Sequence, residues 1–278
     1  MGGLNRVVER KPPPSLLASP FHLFRNLRQN RNLVRNMISR DFKINYHGHI
    51  LGYFWSLLEP LALTGIFYLV FIILRGQADT LLPLNIMLGI LIFQSFSRTL
   101  SNCTNCLVQN SALIKQIYFP REIFPSAIAG FRFASLSLSM FIIVPYMIYE
   151  NMVPTDKLVL LPLAMIFSVL LGQGLGMATA VIQVRIRDLR QVIDLVLRAA
   201  FFLSGVFFTA DIIPEEHLEL YFMNPLAVFI EMSRVAVTGD MGVLSTSVIA
   251  RTIAISALVF LVGSGIFVRY ERKAVKYL

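Results

Sequence analysis

The stretch RDFKINYHGHILGYFWSLLEP, residues 40–60, begins as a charged segment with helical spacing and ends inside an apolar run of membrane-span character. From Leu33 to Ile44, the residues Leu33, Val34, Met37, Ile38, Phe42 and Ile44 fall on one half of a helical projection, with Arg35, Asn36, Ser39, Arg40 and Lys43 on the other. This pattern predicts an interfacial helix on the cytoplasmic leaflet, its basic face towards headgroups and water. An ordinary solvated cationic helix is the alternative. Asp41 interrupts the apolar arc and needs a polar partner that the sequence does not name. His47, Gly48 and His49 turn the chain upward, and Tyr53 and Trp55 suit the headgroup level, where amphipathic rings prefer to sit.

The rest of the chain has the composition such a helix would serve. Of 278 residues, 56% are hydrophobic and only 15% charged, and the mean hydropathy is +0.67. This argues against a soluble globule and for a polytopic membrane protein. The net charge of +9 would suggest nucleic acid in a soluble chain; here the basic residues sit in short segments beside apolar runs and act first as orientation signals, with no nucleic acid expected.

A helix crossing the hydrocarbon needs about 20 largely apolar residues. Six segments qualify: 52–74, 84–107, 123–148, 158–183, 191–210 and 246–268. The fifth is the most polar, with Asp194 and Arg198 spaced to pair on one helix face. With the N-terminus inside, the cytoplasmic side carries eighteen Lys and Arg, and the opposite side only Arg75, Lys157 and Arg234. The expected fold is therefore all-α, with six transmembrane helices and both termini cytoplasmic. No cleavable secretory signal is evident at the start of the sequence. Residues 1–49 form a cytoplasmic N-terminal segment with the interfacial helix, and residues 50–278 the six-span domain.

Between the last two spans, residues 211–245 are acidic and hold two apolar stretches too short to cross. Two short helices re-entering the outer leaflet and broken at Asn224-Pro225 fit this pattern; a small soluble cap is the alternative. On the cytoplasmic side, residues 108–122 read as a short amphipathic helix stopped at Phe119-Pro120, either a handle for a soluble motor domain or a plain connection.

No phosphate-binding GxxxxGK[ST] loop, GxGxxG, HExxH or GxSxG occurs, and the four histidines are scattered. The chain is thus expected to be no enzyme, with no catalytic residue, no metal and no cofactor of its own. Cys103 and Cys106 form a lone CTNC without the second cluster a zinc site would need, and are expected to pack on a membrane helix. Charges at membrane depth are the other candidates for function: Glu59, followed by Pro60, with Arg98 and Arg132, which either pair between helices or line a polar pathway. Aromatic pairs at Phe67-Tyr68, Phe93 and Phe96, Phe201-Phe202 and Phe207-Phe208 could stack on sugars in a conduit, or simply pack. Gly172, Gly174 and Gly176 offer a small-residue face for close helix packing.

Residues 40–61, RDFKINYHGHILGYFWSLLEPL, together with 110–125, NSALIKQIYFPREIFP, resemble the membrane subunits of ABC-2 type exporters, in the branch that moves lipid-linked O-antigen, capsule or teichoic acid chains. The resemblance extends over nearly the whole chain and is most specific at these two motifs. In the first, Arg40, Asp41, Lys43, Tyr46, Leu51, Gly52, Trp55, Leu58 and Pro60 match the family pattern, while His49 stands where the family commonly has Ser. In the second, Asn110, Leu113, Ile114, Phe119, Pro120, Arg121 and Glu122 match, with Lys115 between them. The resemblance implies that this second segment docks on a separate ATPase subunit, present in two copies and holding the ATP and magnesium. It further implies that two copies of the membrane chain enclose the path of a lipid-linked polysaccharide across a bacterial cytoplasmic membrane. An ABC-2 exporter of small hydrophobic drugs or lipids shares the same plan, and a channel or scaffold needing no ATPase is the alternative of another class.

Overall fold

The computed structural model describes residues 19–47, 51–75, 80–116 and 120–277; the turn expected at Gly48 and His49, the first 18 residues and Phe119 lie outside the described residues. Among the described residues every regular element is a helix: α1 (Ser19–Gln29), α2 (Arg31–Tyr46), α3 (Trp55–Arg75), α4 (Leu82–Gln109), α5 (Ser111–Gln116), α6 (Ile123–Met140), α7 (Ile143–Tyr149), α8 (Leu160–Gln183), α9 (Leu189–Leu203), α10 (Glu215–Tyr221), α11 (Pro225–Thr238) and α12 (Thr246–Ala274).

Among the described residues, four helical stretches are long and apolar enough to cross a membrane, Gly52–Leu74, Ile123–Tyr149, Asp156–Gln183 and Thr246–Glu271, and the bent pair Glu215–Tyr221 and Pro225–Thr238 would make a fifth if it were one span. Helix α4, with 28 residues, is also long enough but more polar. It buries Ser95, Thr99, Thr104 and Asn105 among its neighbours, and Thr99 and Thr104 return hydrogen bonds to its own carbonyls. Polar groups directed inward dilute the hydropathy of a helix without exposing it to lipid. Where the sequence suggests a span over 191–210, α9 has 15 residues and ends at Leu203. At 1.5 Å per residue this is about 22 Å, short of the hydrocarbon thickness. The chain then bends inward at Gly205, whose φ of +69° and contact with the Tyr221 ring exclude a side chain.

The two short helices expected after this point are present. Helices α10 and α11 meet at 108°, and the break falls at Asn224-Pro225, where the Asn224 side chain accepts the Leu226 N–H and Pro225 opens α11. Helix α1 is an addition to the single interfacial helix read from the sequence. Its buried Leu23 joins a cluster with Phe260 and Phe267 of α12. In α2, Met37 is buried and Val34, Ile38 and Phe42 are half-buried, whereas Leu33 and Ile44, placed on the same arc by periodicity, are exposed.

Helix α8 is the centre of the bundle, packed between α4 and α12. Its glycines allow both contacts. A methyl group on Gly176 would lie 2.4 Å from the Cys103 Cβ of α4, and one on Gly174 would lie 2.6 Å from the Phe260 Cα of α12. From the other side, a methyl on Gly263 would lie 2.0 Å from the Gly174 carbonyl oxygen. Backbones this close gain dispersion contact where hydrophobic driving force between helices is weak. Cys103 and Cys106 are free and buried in α4, the packing role expected of them.

Gly263→Ala and Gly174→Ala are expected to push α8 and α12 apart and to destabilise the fold by about 1–3 kcal/mol, the cost of overpacking. Gly65, with open space around it, is the control. Thermal unfolding in detergent should show both variants melting below the parent and Gly65→Ala melting with it.

Candidate functional site

The sequence-selected residues fall into a cytoplasmic segment, an entrance at α2, and a set of intramembrane charges and rings. In the cytoplasmic segment, Asn110 ends α4 by donating its side-chain amide to the Cys106 carbonyl at 2.8 Å. The chain turns into α5, where Ile114 is buried and Leu113 packs on the same cluster, while Lys115 and Gln116 are exposed. After Pro120 the motif turns inward. Arg121 Nη1 lies 3.8 Å from Glu271 Oε1 of α12. Glu122, with a side chain only 2% exposed, accepts a 2.6 Å hydrogen bond from Asn26 of α1 and lies 3.7 Å from His22 Nδ1. Residues 121 and 122 are thereby tied to both terminal helices of the described chain, while the short helix packs through Ile114. Its solvent face is Lys115 and Gln116 rather than Glu122.

At the entrance, α2 packs along α6, and four rings from three elements meet. Phe42 stands 4.8 Å from Phe131, and Tyr46 lies 4.7 Å from Tyr53. The partner of Asp41 is its neighbour Arg40, at 2.9 Å. Tyr53 and Trp55 are about half exposed, 54% and 49%, and Lys43 is exposed.

Deeper, Glu59 of α3 forms an ion pair with Arg98 of α4. Arg132 of α6 lies between this pair and α2, its guanidinium 5.0 Å from the Phe131 ring centre. Three cavities run past these charges and share them. One of about 470 Å³ is lined by Arg40, Asp41, Asn102 and Asn110, and reaches Arg132. A small polar pocket between Arg132 and Arg98 is lined by Gln94, Ser95, Ser135 and Ser139. The third, about 460 Å³, extends from Gln94 and Arg98 to Asp194, Arg198, Phe201 and Phe202. Charges and aromatic rings selected separately from the sequence thus border three neighbouring cavities, which share Arg132, Arg98 and Gln94 as lining.

The rings also gather. Phe207 lies 4.2 Å from Phe67 and 5.0 Å from Phe201, and Phe201 lies 5.1 Å from Phe93, with Phe96 6.4 Å further along. Tyr68 is half-buried on the main core, and Phe208 stacks instead with Tyr221. The expected pairing of Asp194 with Arg198 is not what forms. Asp194 accepts from Ser101 of α4 at 2.9 Å and lies 3.8 Å from Arg190, one turn before it. A neighbouring helix supplies a closer donor than the helix's own following turn, and Arg198 is left to line the cavity.

Arg234, counted from the sequence as an external loop cation, is buried. Its side chain pairs with Glu231 at 2.8 Å and donates to the carbonyls of Phe208 (2.8 Å), Gly205 (2.7 Å), Val206 (3.2 Å) and Asn85 (3.1 Å). Glu231 in turn accepts the Ala210 N–H at 2.9 Å. One guanidinium therefore supplies the backbone partners that the chain loses where α9 stops early. The available signal was a Glu and an Arg three residues apart inside the otherwise apolar PLAVFIEMSRVAV.

These features belong to a known class of transport protein. Residues 32–238 match the ABC-2 type transporter membrane family, and the chain is a member of it. Similar curated proteins include the O-antigen export system permease protein RfbA of Klebsiella pneumoniae, 25% identical over 72% of this chain and 77% of the relative. The protein of the same name from Myxococcus xanthus is 24% identical over 74% of this chain and 80% of its own length. The polysialic acid transport protein KpsM of Escherichia coli is 26% identical over 73% of this chain and 80% of its own length.

Replacing Arg234 by Met would leave Glu231 without its cationic partner and four carbonyls without their donor in a dry environment. A loss of about 3–5 kcal/mol is expected, as for breaking a buried pair. Denaturant unfolding in lipid nanodiscs should show it, with a smaller loss in a Glu231→Gln, Arg234→Met double variant.

Proposed function

We propose that this chain is the permease subunit of an ATP-driven exporter that moves lipid-linked polysaccharide outward across a bacterial cytoplasmic membrane. The observation that carries this is the match of about three quarters of the chain, 72% to 74%, to permeases named for O-antigen export and polysialic acid transport. The neighbouring cavities lined with rings and charges support it. Aromatic faces offer a polymer sliding contact, and guanidinium and amide groups offer exchangeable hydrogen bonds.

The topology proposed for this role has six crossings and both termini cytoplasmic, the four clear spans being completed by α4 and by α9 together with the apolar residues that follow Leu203. Helices α10 and α11 re-enter the outer leaflet, and α2 lies at the cytoplasmic interface. The excess of Lys and Arg on one set of connections supports this orientation. Two copies of the chain would enclose the path as a homodimer. Two copies of a separate ATPase would bind ATP and magnesium and engage the exposed face of α5. Movement of α5 would pass to α12 through Arg121 and Glu271, and to α1 through Glu122 and Asn26, because these contacts fix the segment to both helices.

Depleting the protein in its native cell, with lipid-linked glycan then located by an assay that separates internal from external pools, should show polymer accumulating inside. An unchanged distribution would overturn the polysaccharide role and favour export of a small hydrophobic molecule. In the assembled transporter, Lys115→Glu with Arg121→Glu should leave ATP binding intact and uncouple hydrolysis from transport. Transport at the parental rate would count against α5 as the coupling element.

A further inference from the structure

Helices α6 and α12 both pack on α8, and between them runs a groove of about 570 Å³ that α1 closes along one side. Small residues leave the space, Ala129 and Gly130 on α6 and Ala257 on α12, with Leu23, Phe24 and Leu27 of α1 forming a further wall. Only two lining side chains are polar, Ser126 and Gln173. Gln173 donates to the Ser126 hydroxyl at 3.4 Å, and that hydroxyl donates to the Glu122 carbonyl at 2.8 Å. The lining therefore asks for no polar ligand, and three of its walls belong to membrane-crossing stretches, which leaves hydrocarbon as the matching occupant. A volume in the range of single-ligand sites suits one acyl chain.

The helix that closes the groove also carries charge. Phe21, Arg25 and Arg28 of α1 are exposed, and Phe24 is 57% exposed at the groove mouth, while the buried Leu23 and the Asn26 amide face the protein. From residue 19 to residue 40 the chain holds five arginines, Arg25, Arg28, Arg31, Arg35 and Arg40, and no carboxylate. Among the described residues the first four of these form no ion pair. Exposed rings beside unanswered guanidiniums are the pattern of a helix seated at an anionic headgroup layer, with rings among the chains and cations at the phosphates. We propose that the groove seats one acyl chain of an anionic phospholipid of the cytoplasmic leaflet, whose phosphate is met by Arg25 and Arg28. A neutral lipid would match the groove but leave the arginines unanswered, and a second copy of this chain would set the same cationic strip against itself. Naming the leaflet rests on the orientation proposed above; the site does not depend on what the transporter moves. A lipid held there fixes α1 on α12, and with it the Asn26 amide that donates to Glu122 beside the α5 segment.

The test places the full chain in nanodiscs of phosphatidylcholine with a minor fraction of phosphatidylglycerol, bromine being carried on the chains of one lipid or the other. Phe24→Trp in a Trp55→Phe background makes a fluorescent reporter at the groove, since Trp55 is the chain's only tryptophan. Brominated phosphatidylglycerol should quench it with an apparent affinity about tenfold above that of brominated phosphatidylcholine, the preference two arginines confer at an anionic headgroup. Arg25→Gln with Arg28→Gln should abolish the preference and keep the quenching, because a chain still enters the groove. Ala257→Phe, which fills the groove and leaves both arginines, should also abolish the preference. Without the reporter changes, phosphatidylglycerol should raise the melting temperature of the parent chain and of neither variant. Equal quenching by the two lipids, or no stabilisation of the parent, overturns the site. A preference that survives Ala257→Phe overturns it too, since the arginines then gather anionic lipid without the groove. A reporter that neither lipid quenches also overturns it and assigns the groove to protein, with crosslinking to identify a second copy. None of these outcomes bears on polysaccharide export, which the depletion experiment decides.

Discussion

A charge carried into the bilayer must find its partner within the protein, because lipid offers none. Much of this structure is arranged around that constraint. Glu59 and Arg98 join α3 to α4, alongside the contact of Phe67 with Phe207. Glu231 and Arg234 hold the chain where it leaves α9, replacing helical hydrogen bonds with donors from a side chain. Asp194 joins α9 to α4 through Ser101. Each pair lets an irregular or polar element persist at a depth where bare backbone would be costly.

Satisfied charges are rigid parts; Arg132 differs because no carboxylate among the described residues lies within ion-pair distance of it. It stands between the cavity along α2 and the Glu59–Arg98 pair, with its guanidinium over the Phe131 ring. The close backbone contacts of α8 with α4 and α12 supply the complementary property, a frame that does not yield. Around the close-packed α4–α8–α12 core, the Arg121–Glu271 and Glu122–Asn26 contacts join the residues after α5 to the end of α12 and to α1.

Much of this arrangement was legible in the sequence because it is local. The amphipathic arc of α2, the α5 segment, the break at Asn224-Pro225 and the glycine face of α8 all follow from spacing along the chain. What escaped depends on neighbours distant in sequence. Asp194 turned to Ser101, 93 residues away, rather than to Arg198. Leu33 and Ile44 sit on the apolar arc yet remain exposed, because α6 covers only the strip containing Met37, Ile38 and Phe42. The early end of α9 could not be read from hydropathy, since the residues after Leu203 stay apolar while their carbonyls are taken by Arg234. Glu122, read as part of a docking surface, is buried against α1, a helix that the sequence reading did not pick out although Leu23 and Leu27 are spaced one turn apart. The candidate residues were found one by one; only folding placed Arg98, Arg132, Asp194 and the Phe93–Phe201 rings around neighbouring cavities.

The most direct test of the central claim is reconstitution of this chain with its ATPase partner in sealed vesicles carrying lipid-linked glycan, following delivery of the glycan to the face opposite the ATPase. Delivery should require both proteins and hydrolysable ATP, and stop when either protein or the nucleotide is withheld. Delivery by the membrane chain alone, or ATP turnover by the complete assembly with no glycan moved, would contradict the assignment of this protein as the permease of a polysaccharide exporter.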